Sequence, residues 1–209
     1  MGREKDPTGD RLKVFERAAE TVLDPTLPTI LRLDGRAFHS WTLCLDRPAD
    51  VRMEATMHDT MRRLALELGA RYAYTQSDEI TLVCLAEGKS QAPFGSRTQK
   101  LCSLMASLAS VTFNAALVEH GIVSRKPAMF DCRAYNVPDK ATAVDVVLWR
   151  EADAIRNSSN TRGQEFLSPK AMHGLSARDV REWLAANGHA WGMLSETRKF
   201  GSAIARRMR

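Results

Sequence analysis

Two short acidic segments at the ends of largely apolar runs hold the residues of this chain that are best suited to chemistry. Asp34 follows the run ILRL, and Asp78 and Glu79 precede the run ITLVCL. Converging carboxylates repel one another unless a cation neutralises them, and Mg²⁺ prefers such oxygen ligands together with substrate phosphates. A pair of such ions supports phosphoryl or nucleotidyl transfer. Each segment on its own is also typical of a turn whose acidic residues cap backbone amides.

The elements around these segments follow the order β-α-β-β-α-β. The hydrophobic periodicity predicts strands over 29–35, 71–76, 80–85 and 129–137, with one helix before the second strand and one before the fourth. This is the order of the ferredoxin-like split motif, so we expect an α+β fold with the sheet order 4-1-3-2. In that sheet the end of the first strand lies beside the start of the third. Asp34 is therefore expected next to Asp78 and Glu79.

The remaining segments are predicted to be mainly helical. A helix is expected over 10–23, where Pro25 and Pro28 follow it, and another over 140–156. A capping-box pattern at Ser176-x-x-Asp179 begins a further short helix, which a glycine ends. Residues 190–209 have no clear pattern.

Composition and charge exclude several classes of protein. The chain has 209 residues, which suffices for one domain with an extension, and a net charge of +5. We expect no membrane-spanning stretch, no secretory signal and no membrane partner. The four cysteines include no CxxC pair, which predicts reduced thiols in a cytoplasmic protein. Residues 193–209 carry five Arg or Lys and one Glu, so this end suits either phosphate binding or a solvated tail.

Six basic residues are expected on or near the loops that flank the carboxylates. Arginine is suited to bidentate contacts with phosphate, and lysine to point-charge contacts. Any one of the six is also compatible with an ordinary solvated surface charge. Together they predict a phosphate-binding surface formed by Arg32, Arg36, Arg47, Arg97, Lys100 and Arg133.

Four motifs taken together resemble those of the tRNA-histidine guanylyltransferase family and its Thg1-like relatives. They are LRLDGRAFHSWT, YTQSDEITLVC, MFDCRAYNVP and LWREADAIRNSSN, and they cover about residues 25–160 in the family's order and spacing. The resemblance implies a palm domain like that of template-dependent polymerases. It also implies Mg²⁺-dependent addition of nucleotides to the 5′ end of tRNA, in the 3′–5′ direction, from ATP, GTP and other nucleoside triphosphates.

The resemblance also implies roles for individual residues. Asp34, Asp78 and the backbone carbonyl of Gly35 would hold two Mg²⁺ ions, with Glu79 as a further catalytic carboxylate. Nucleotide and phosphate binding would fall to Arg32, Arg36, His39, Arg47, Asp50, Ser77, Arg97, Lys100 and Arg133. Contacts with RNA are expected from Arg156, Asn157, Arg198, Lys199, Arg206 and Arg207.

Some positions depart from the family pattern. RPAD stands where the family has a KPND-like segment, so Arg47 takes the place of a lysine. Cys132 replaces the glycine of an FDGR motif. Ile155 replaces a histidine in a stretch that is tied to tRNA-histidine recognition in eukaryotic members. The pattern is more similar to Thg1-like proteins that repair 5′-truncated tRNAs, and both 5′-end repair and tRNA-histidine guanylylation stay open.

These inferences divide the chain into two parts. Residues 1–138 are expected to be a palm-like catalytic core with an N-terminal helix. Residues 139–209 are expected to be a mainly helical, basic-ended part of the same catalytic unit. Two rival functions use the same core, namely a palm-fold nucleotide cyclase and a non-catalytic tRNA-binding module. Assembly into a homo-oligomer, a tetramer by analogy with the family, is also expected.

Overall fold

Five strands and eight α-helices are present in the part of the chain that the computed structural model describes, residues 6–46, 50–85 and 93–207. The strands are β1 (Thr29–Gly35), β2 (Tyr72–Gln76), β3 (Glu79–Cys84), β4 (Phe130–Asn136) and β5 (Ser202–Ala205). The helices are α1 (Pro7–Ala18), α2 (Phe38–Trp41), α3 (Val51–Leu68), α4 (Thr98–Glu119), α5 (Lys140–Gln164), α6 (Pro169–Met172), α7 (Ala177–Ala186) and α8 (Glu196–Phe200).

The strands form one antiparallel sheet in the order β4-β1-β3-β2-β5. Its first four strands have the 4-1-3-2 order of the ferredoxin-like motif, so the predicted α+β fold is confirmed. β2 and β3 form the predicted hairpin, with a turn at Ser77-Asp78. The fifth strand pairs with β2 and comes from the C-terminal residues for which the sequence shows no clear pattern.

The face of the sheet that packs against α3 and α4, here called the inner face, forms the main hydrophobic core. Leu31 and Leu33 of β1 are completely buried there, in one cluster with Met61 of α3 and with Met105 and Phe113 of α4. Successive strand residues point to opposite faces of a sheet. Every second residue of β1 therefore belongs to the core, and the residues between them point to the other face.

Helix α4 is more apolar than the sequence analysis expected of any segment. It has 22 residues, is uncharged between Lys100 and Glu119, and is long and apolar enough to cross a membrane. The expectation that no stretch meets that condition is therefore wrong. Its buried side chains, among them Leu101 and Met105, pack into the main core. Core helices of soluble proteins pass the same test, so α4 is only weak evidence for a membrane segment.

Helix α5 crosses the opposite face of the sheet, here called the outer face. A small second cluster joins Ile30 and Val83 of the sheet to Ala143 of α5. The helix continues to residue 164, beyond the predicted end at 156, and packs against α7 and α8. Helix α7 begins with the predicted capping box of Ser176 and Asp179.

The N-terminal helix α1 is present but lies apart from both cores. It spans Pro7–Ala18 rather than the predicted 10–23, and none of its residues is buried. Leu12 and Phe15, on its apolar side, are 50% and 70% exposed. The periodicity thus predicts the helix correctly, although the described chain provides no partner that buries its apolar side.

Candidate active site

Three carboxylates stand side by side across the sheet at the end of β1, which we call the carboxylate edge. In the strand register Asp34 of β1 is opposite Glu79 of β3 on one side and Asp131 of β4 on the other. Directly paired residues share a face of the sheet, here the outer face. Asp78 lies in the adjoining turn, and its carbonyl accepts a hydrogen bond from the Gly35 N–H over 3.1 Å. The structure thus brings Asp34, Asp78 and Glu79 together.

Asp131 belongs to this edge but is missing from the sequence-based set of site residues. The signal for it was the motif MFDCR, in which Asp131 stands two residues before Arg133 and therefore on the same face. Arg133 is itself opposite Arg32 in the register, and its Nη2 lies 3.9 Å from Asp131 Oδ1. The outer face is therefore acidic at its edge and basic in the next row.

The turn after β1 is fixed by aromatic rings that pack beneath it. A Cβ atom at Gly35 would lie 2.3 Å from the ring of Phe38, so this position requires glycine. The Phe38 ring centroid lies 5.5 Å from that of Phe113 and 5.2 Å from that of Phe130. Ala37 adopts a positive φ of 54°, which turns the chain into α2. The position of the Gly35 carbonyl, a predicted metal ligand, is thus set by the core.

Two predicted nucleotide-binding side chains, Arg36 and His39, are exposed on this turn. The Arg36 N–H donates a hydrogen bond to the Met129 carbonyl over 2.8 Å, which joins the turn to the residue before β4. The backbone that carries these two residues is therefore held close to the carboxylate edge.

Asp78 lies in an environment that disfavours its ionised form. Burial, followed by the charges of Asp34 and Glu79, raises the pKa of Asp78 to about 6. The Ser77 hydroxyl donates a hydrogen bond to Asp78 Oδ1 over 3.1 Å, which acts in the opposite direction. Ser77 itself is exposed and has a positive φ of 49°. A cation at the carboxylate edge would offset the repulsion and favour the ionised carboxylate.

Glu79 is held by an arginine that the sequence analysis missed. Arg150 of α5 has a side chain only 5% exposed, and its Nη2 lies 2.7 Å from Glu79 Oε2. Gln76 Nε2 donates a weaker hydrogen bond to the same oxygen over 3.3 Å. Arg150 also pairs with Asp153. Glu79 thus shares a row with Asp34, but its carboxylate joins α5 to the sheet. The motif LWREAD contained Arg150 without indicating this contact.

The donor set at the carboxylate edge suits a divalent cation. Asp34 directly precedes Gly35 in β1, and the Gly35 N–H donates a hydrogen bond to the carbonyl of Asp78, so two carboxylate residues flank Gly35. Mg²⁺ commonly binds through one or two carboxylates and completes its shell with water and substrate phosphates. Within the described ranges no group of three or more His, Cys, Asp or Glu side chains is arranged to hold a metal by itself. The residues therefore fit an ion that a phosphate-bearing substrate helps to bind.

A cavity of about 280 Å³ adjoins the carboxylate edge on the side of β2 and β5. Its lining includes Ser77 of the turn, the α3 cap Asp50, and Asn157, Thr161 and Arg162 of α5. Two predicted nucleotide-binding residues, Asp50 and Ser77, and two predicted RNA-contact residues, Asn157 and Arg198, therefore line the same cavity. Its mixture of hydroxyl, amide and charged groups with apolar walls is typical of small-ligand sites.

Asp50 is engaged by the protein at the rim of this cavity. Its carboxylate caps α3 by accepting a hydrogen bond from the Arg52 N–H over 2.9 Å. Arg52 Nη2 lies 2.6 Å from the other carboxylate oxygen, and this side-chain hydrogen bond lowers the pKa of Asp50 to about 2. Arg47, the predicted phosphate-binding residue of the same segment, lies outside the described residues.

Arg97 and Lys100 are located at the end of the sheet opposite the carboxylates. β3 leads away from Glu79 and ends at Cys84, which is opposite Thr29 at the start of β1. Helix α4 therefore begins at that far end. The seven residues of β1 correspond to about 20 Å between the two ends. The expectation that this basic pair flanks the carboxylates is wrong, because the preceding strand crosses the whole sheet.

The predicted RNA-contact residues differ in their accessibility. Lys199 is only 9% exposed and pairs with Glu196, so little of it is available to RNA. Arg198 Nε donates a hydrogen bond to Glu54 Oε1 over 2.8 Å. A count of basic residues cannot distinguish these internal contacts from surface charge. The exposed members of the set are Arg156, Asn157, Arg206 and Arg207.

Comparisons with known proteins identify the family. The family model for tRNAHis guanylyltransferase, Thg1, matches residues 9–138. A bacterial tRNA(His) guanylyltransferase (Thg1)-like protein in complex with ATP has a TM-score of 0.90 and 30% identity, over 95% of this chain and 88% of that one. A bacterial Thg1-like protein in complex with GTP has a TM-score of 0.83 and 29% identity, over 98% and 86%. The tRNA(His) guanylyltransferase of Schizosaccharomyces pombe is 32% identical over 72% of this chain and 58% of that enzyme.

The matched region includes strands β1 to β4 and, with them, all residues of the carboxylate edge. The structural similarity continues through the C-terminal helices, since the ATP-bound structure covers 95% of the chain. The chain therefore belongs to the tRNA-histidine guanylyltransferase family and is a nucleotidyltransferase.

Proposed function

We propose that this protein adds nucleotides to the 5′ end of tRNA or a tRNA-like RNA, in the 3′–5′ direction, with two Mg²⁺ ions at the carboxylate edge. The observation that carries the proposal is the placement of Asp34 and Asp78 beside each other at that edge, next to a cavity of about 280 Å³. Relatives with the same fold were solved with ATP and with GTP, which supports both nucleotides as substrates here.

The chain's own residues position the reactants. Asp34, Asp78 and the carbonyl of Gly35 would hold the ions, which when bound neutralise phosphates and favour ionisation of the attacking 3′-hydroxyl. Arg32 and Arg133, one row behind the carboxylates, contact the phosphates of the RNA 5′ end. Because Arg32 and Arg133 are paired across β1 and β4, they are close enough to contact one phosphate group together or two neighbouring phosphate groups.

The nucleoside triphosphate enters from the side of the cavity. Ser77 and Asp50 line that cavity, while Arg36 and His39 are exposed on the turn above the carboxylates. Arg47 is proposed as a phosphate contact from its position before Asp50 in the sequence. Arg97 and Lys100 are not proposed to bind a phosphate group at the carboxylate edge, because the start of α4 lies about 20 Å from that edge within one chain.

We propose 5′-end repair as the principal reaction, with tRNA-histidine guanylylation as the alternative. Ile155 stands where eukaryotic guanylyltransferases have a histidine, and an apolar side chain there cannot make that residue's hydrogen bonds. The exposed residues Arg156, Arg206 and Arg207 are proposed to contact the RNA backbone. A cytoplasmic location, a tetrameric assembly and the division at residue 138 stay predictions.

The reaction is tested with purified protein, Mg²⁺, all four nucleoside triphosphates and a 5′-truncated tRNA that carries either a monophosphate or a triphosphate. We expect the 5′ end to grow on a sequencing gel. Asp78→Ala should reduce the rate by more than about 100-fold, because residues that merely support metal ligands already contribute about 10- to 100-fold. Asp10→Ala, which removes an exposed carboxylate from α1, is the matched control.

The outcomes separate the rival functions. A cyclic nucleotide formed without RNA would favour the cyclase, and tRNA binding without turnover would favour the binding module. A near wild-type rate for Asp78→Ala, with an unchanged circular dichroism spectrum, would contradict the metal assignment.

A further inference from the structure

The part of the outer face that α5 leaves uncovered is an open surface formed by β1 and β4 and bordered by α5, here called the groove. Arg32 and Asp34 of β1 are partly exposed, and the side chains of Asp131 and Arg133 of β4 are 56% and 58% exposed. The groove leads to the carboxylate edge from the side opposite the cavity. Its floor therefore presents two guanidinium groups to any anion that approaches the carboxylates along β4.

Trp149 of α5 faces this groove. Arg150 points down to the sheet, so its neighbours in the helix point to opposite sides, about 100° away on either side. Helix α8 contacts both α5 and β2, so the side of α5 nearest to α8 is also the side of β2, and Glu151 lies on that side. Ser158, two turns further along that side, donates a hydrogen bond to a backbone carbonyl of α8 over 3.4 Å. Trp149 must then point the other way, toward β1 and β4.

The ring of Trp149 is accessible and backed by a cation. The residue is 52% exposed, and the Arg150 guanidinium carbon lies 4.5 Å from the ring centroid. An aromatic ring exposed to this extent contributes little to packing in the core, whereas nucleic-acid bases stack readily on exposed aromatic rings. Arg156, two turns along the same side of α5, is 59% exposed and adds positive charge to this wall.

The two sides of the carboxylate edge differ in the shape of molecule they admit. The cavity is lined on several sides and suits a single small ligand. The groove is open along its length and combines arginines with an aromatic ring, as single-strand nucleic-acid sites do. Its acidic groups are already paired or placed at the edge, since Asp131 adjoins Arg133 and Asp153 pairs with both Arg150 and Arg156.

We propose that Trp149 stacks on the base of the 5′-terminal nucleotide of the RNA, while Arg32 and Arg133 hold the phosphates of that nucleotide. The groove thus takes the end of the RNA chain, and the cavity takes the incoming nucleoside triphosphate. This proposal rests on the proposed function and extends it to the binding of the RNA end. Because a ring stacks on any base, the contact positions the RNA end without selecting its sequence.

The first test compares steady-state kinetics of wild type, Trp149→Ala, Trp149→Phe and Leu148→Ala on the 5′-truncated tRNA. Leu148 is the matched control, because it is adjacent in α5, is 53% exposed and points away from the groove. Trp149→Ala should raise the KM for RNA by about 5- to 150-fold, the range found for loss of one stacked base. The KM for the nucleoside triphosphate should stay unchanged, and Trp149→Phe should retain most of the RNA affinity.

The second test places 2-aminopurine at the 5′-terminal position of the same RNA. Binding to wild type, Trp149→Phe and Leu148→Ala should change its fluorescence through stacking, and Trp149→Ala should abolish that change. Equal KM values for RNA in Trp149→Ala and Leu148→Ala, in a wild-type enzyme that extends RNA, would overturn the proposal. If the wild type does not extend RNA, the proposed function fails, and the fluorescence test still decides whether Trp149 contacts the RNA end.

Discussion

The two faces of the central sheet are built from the same strands but have opposite characters. The inner face contributes completely buried aliphatic residues, such as Leu31 and Leu33, to one apolar core with α3 and α4. The outer face is layered instead, with a carboxylate row at Asp34, an arginine row at Arg32 and an apolar row at Ile30. Alternate residues of β1 thus serve stability and chemistry, so mutations at neighbouring positions should separate the two.

The largest expected effect concerns the ion pair that joins the outer face of the sheet to α5. Arg150→Met should destabilise the protein by about 3 kcal/mol or more, because it leaves the largely buried Glu79 carboxylate, only 16% exposed, without its charged partner. The double variant with Glu79→Gln should recover part of that loss. Urea unfolding of the three proteins measures both values. Equal stability of the single and double variants would show that the ion pair does not join α5 to the sheet.

Neighbouring residues of β1 provide the most direct test of the comparison. Leu33→Ala should lower the free energy of unfolding by about 2–5 kcal/mol, since the side chain is completely buried. Arg32→Ala should change stability by less than about 1 kcal/mol but reduce nucleotide addition, because its guanidinium faces the site. Urea unfolding and the extension assay measure the two effects. A loss of stability in Arg32→Ala as large as in Leu33→Ala would contradict the separation.

The smallest effect is a pH dependence at the carboxylate edge. The pKa of Asp78 rises from 3.8 to about 6 on folding, so its ionisation weakens the folded state as pH increases through that interval. Asp78→Asn should therefore be more stable than wild type by about 1–3 kcal/mol at pH 7 without divalent metal, and equally stable below pH ~4. Thermal unfolding at the two pH values measures this difference.

The same variant tests metal binding. Millimolar Mg²⁺ should raise the unfolding temperature of the wild type, because an ion that binds only the folded state stabilises it. Asp78→Asn should lose most of that increase. Equal increases in both proteins would place the ion elsewhere.

Much of the fold follows from local patterns in the sequence. Short apolar, β-branched or alternating runs identify β1 to β4, and the helical spacing of apolar residues identifies α3 and α4. The order of these elements alone predicts that Asp34 and Asp78 meet, because one split βαβ topology fixes which strand ends are adjacent. The proximity of Asp34 and Asp78 could therefore be predicted from the sequence without any tertiary contact.

The features that the sequence did not reveal depend on register or on contacts between distant segments. Asp131 joins the edge through strand pairing, and Arg150 reaches Glu79 only because α5 crosses the sheet at one particular angle. β5 is short and its sequence alternates only weakly, so it is a strand because it pairs with β2. Lys199 has the composition of a surface residue, but its burial is set by α8 packing on α5.

The contact between Gly35 and Phe38 limits how this chain can change over generations. A ring occupies the space that any side chain at position 35 would need, so a substitution there requires a smaller residue at position 38 in the same lineage. Phe38 in turn packs on Phe113 and Phe130, which come from two other elements. These four positions are therefore expected to vary together among homologues or not at all, although only one of them touches the site.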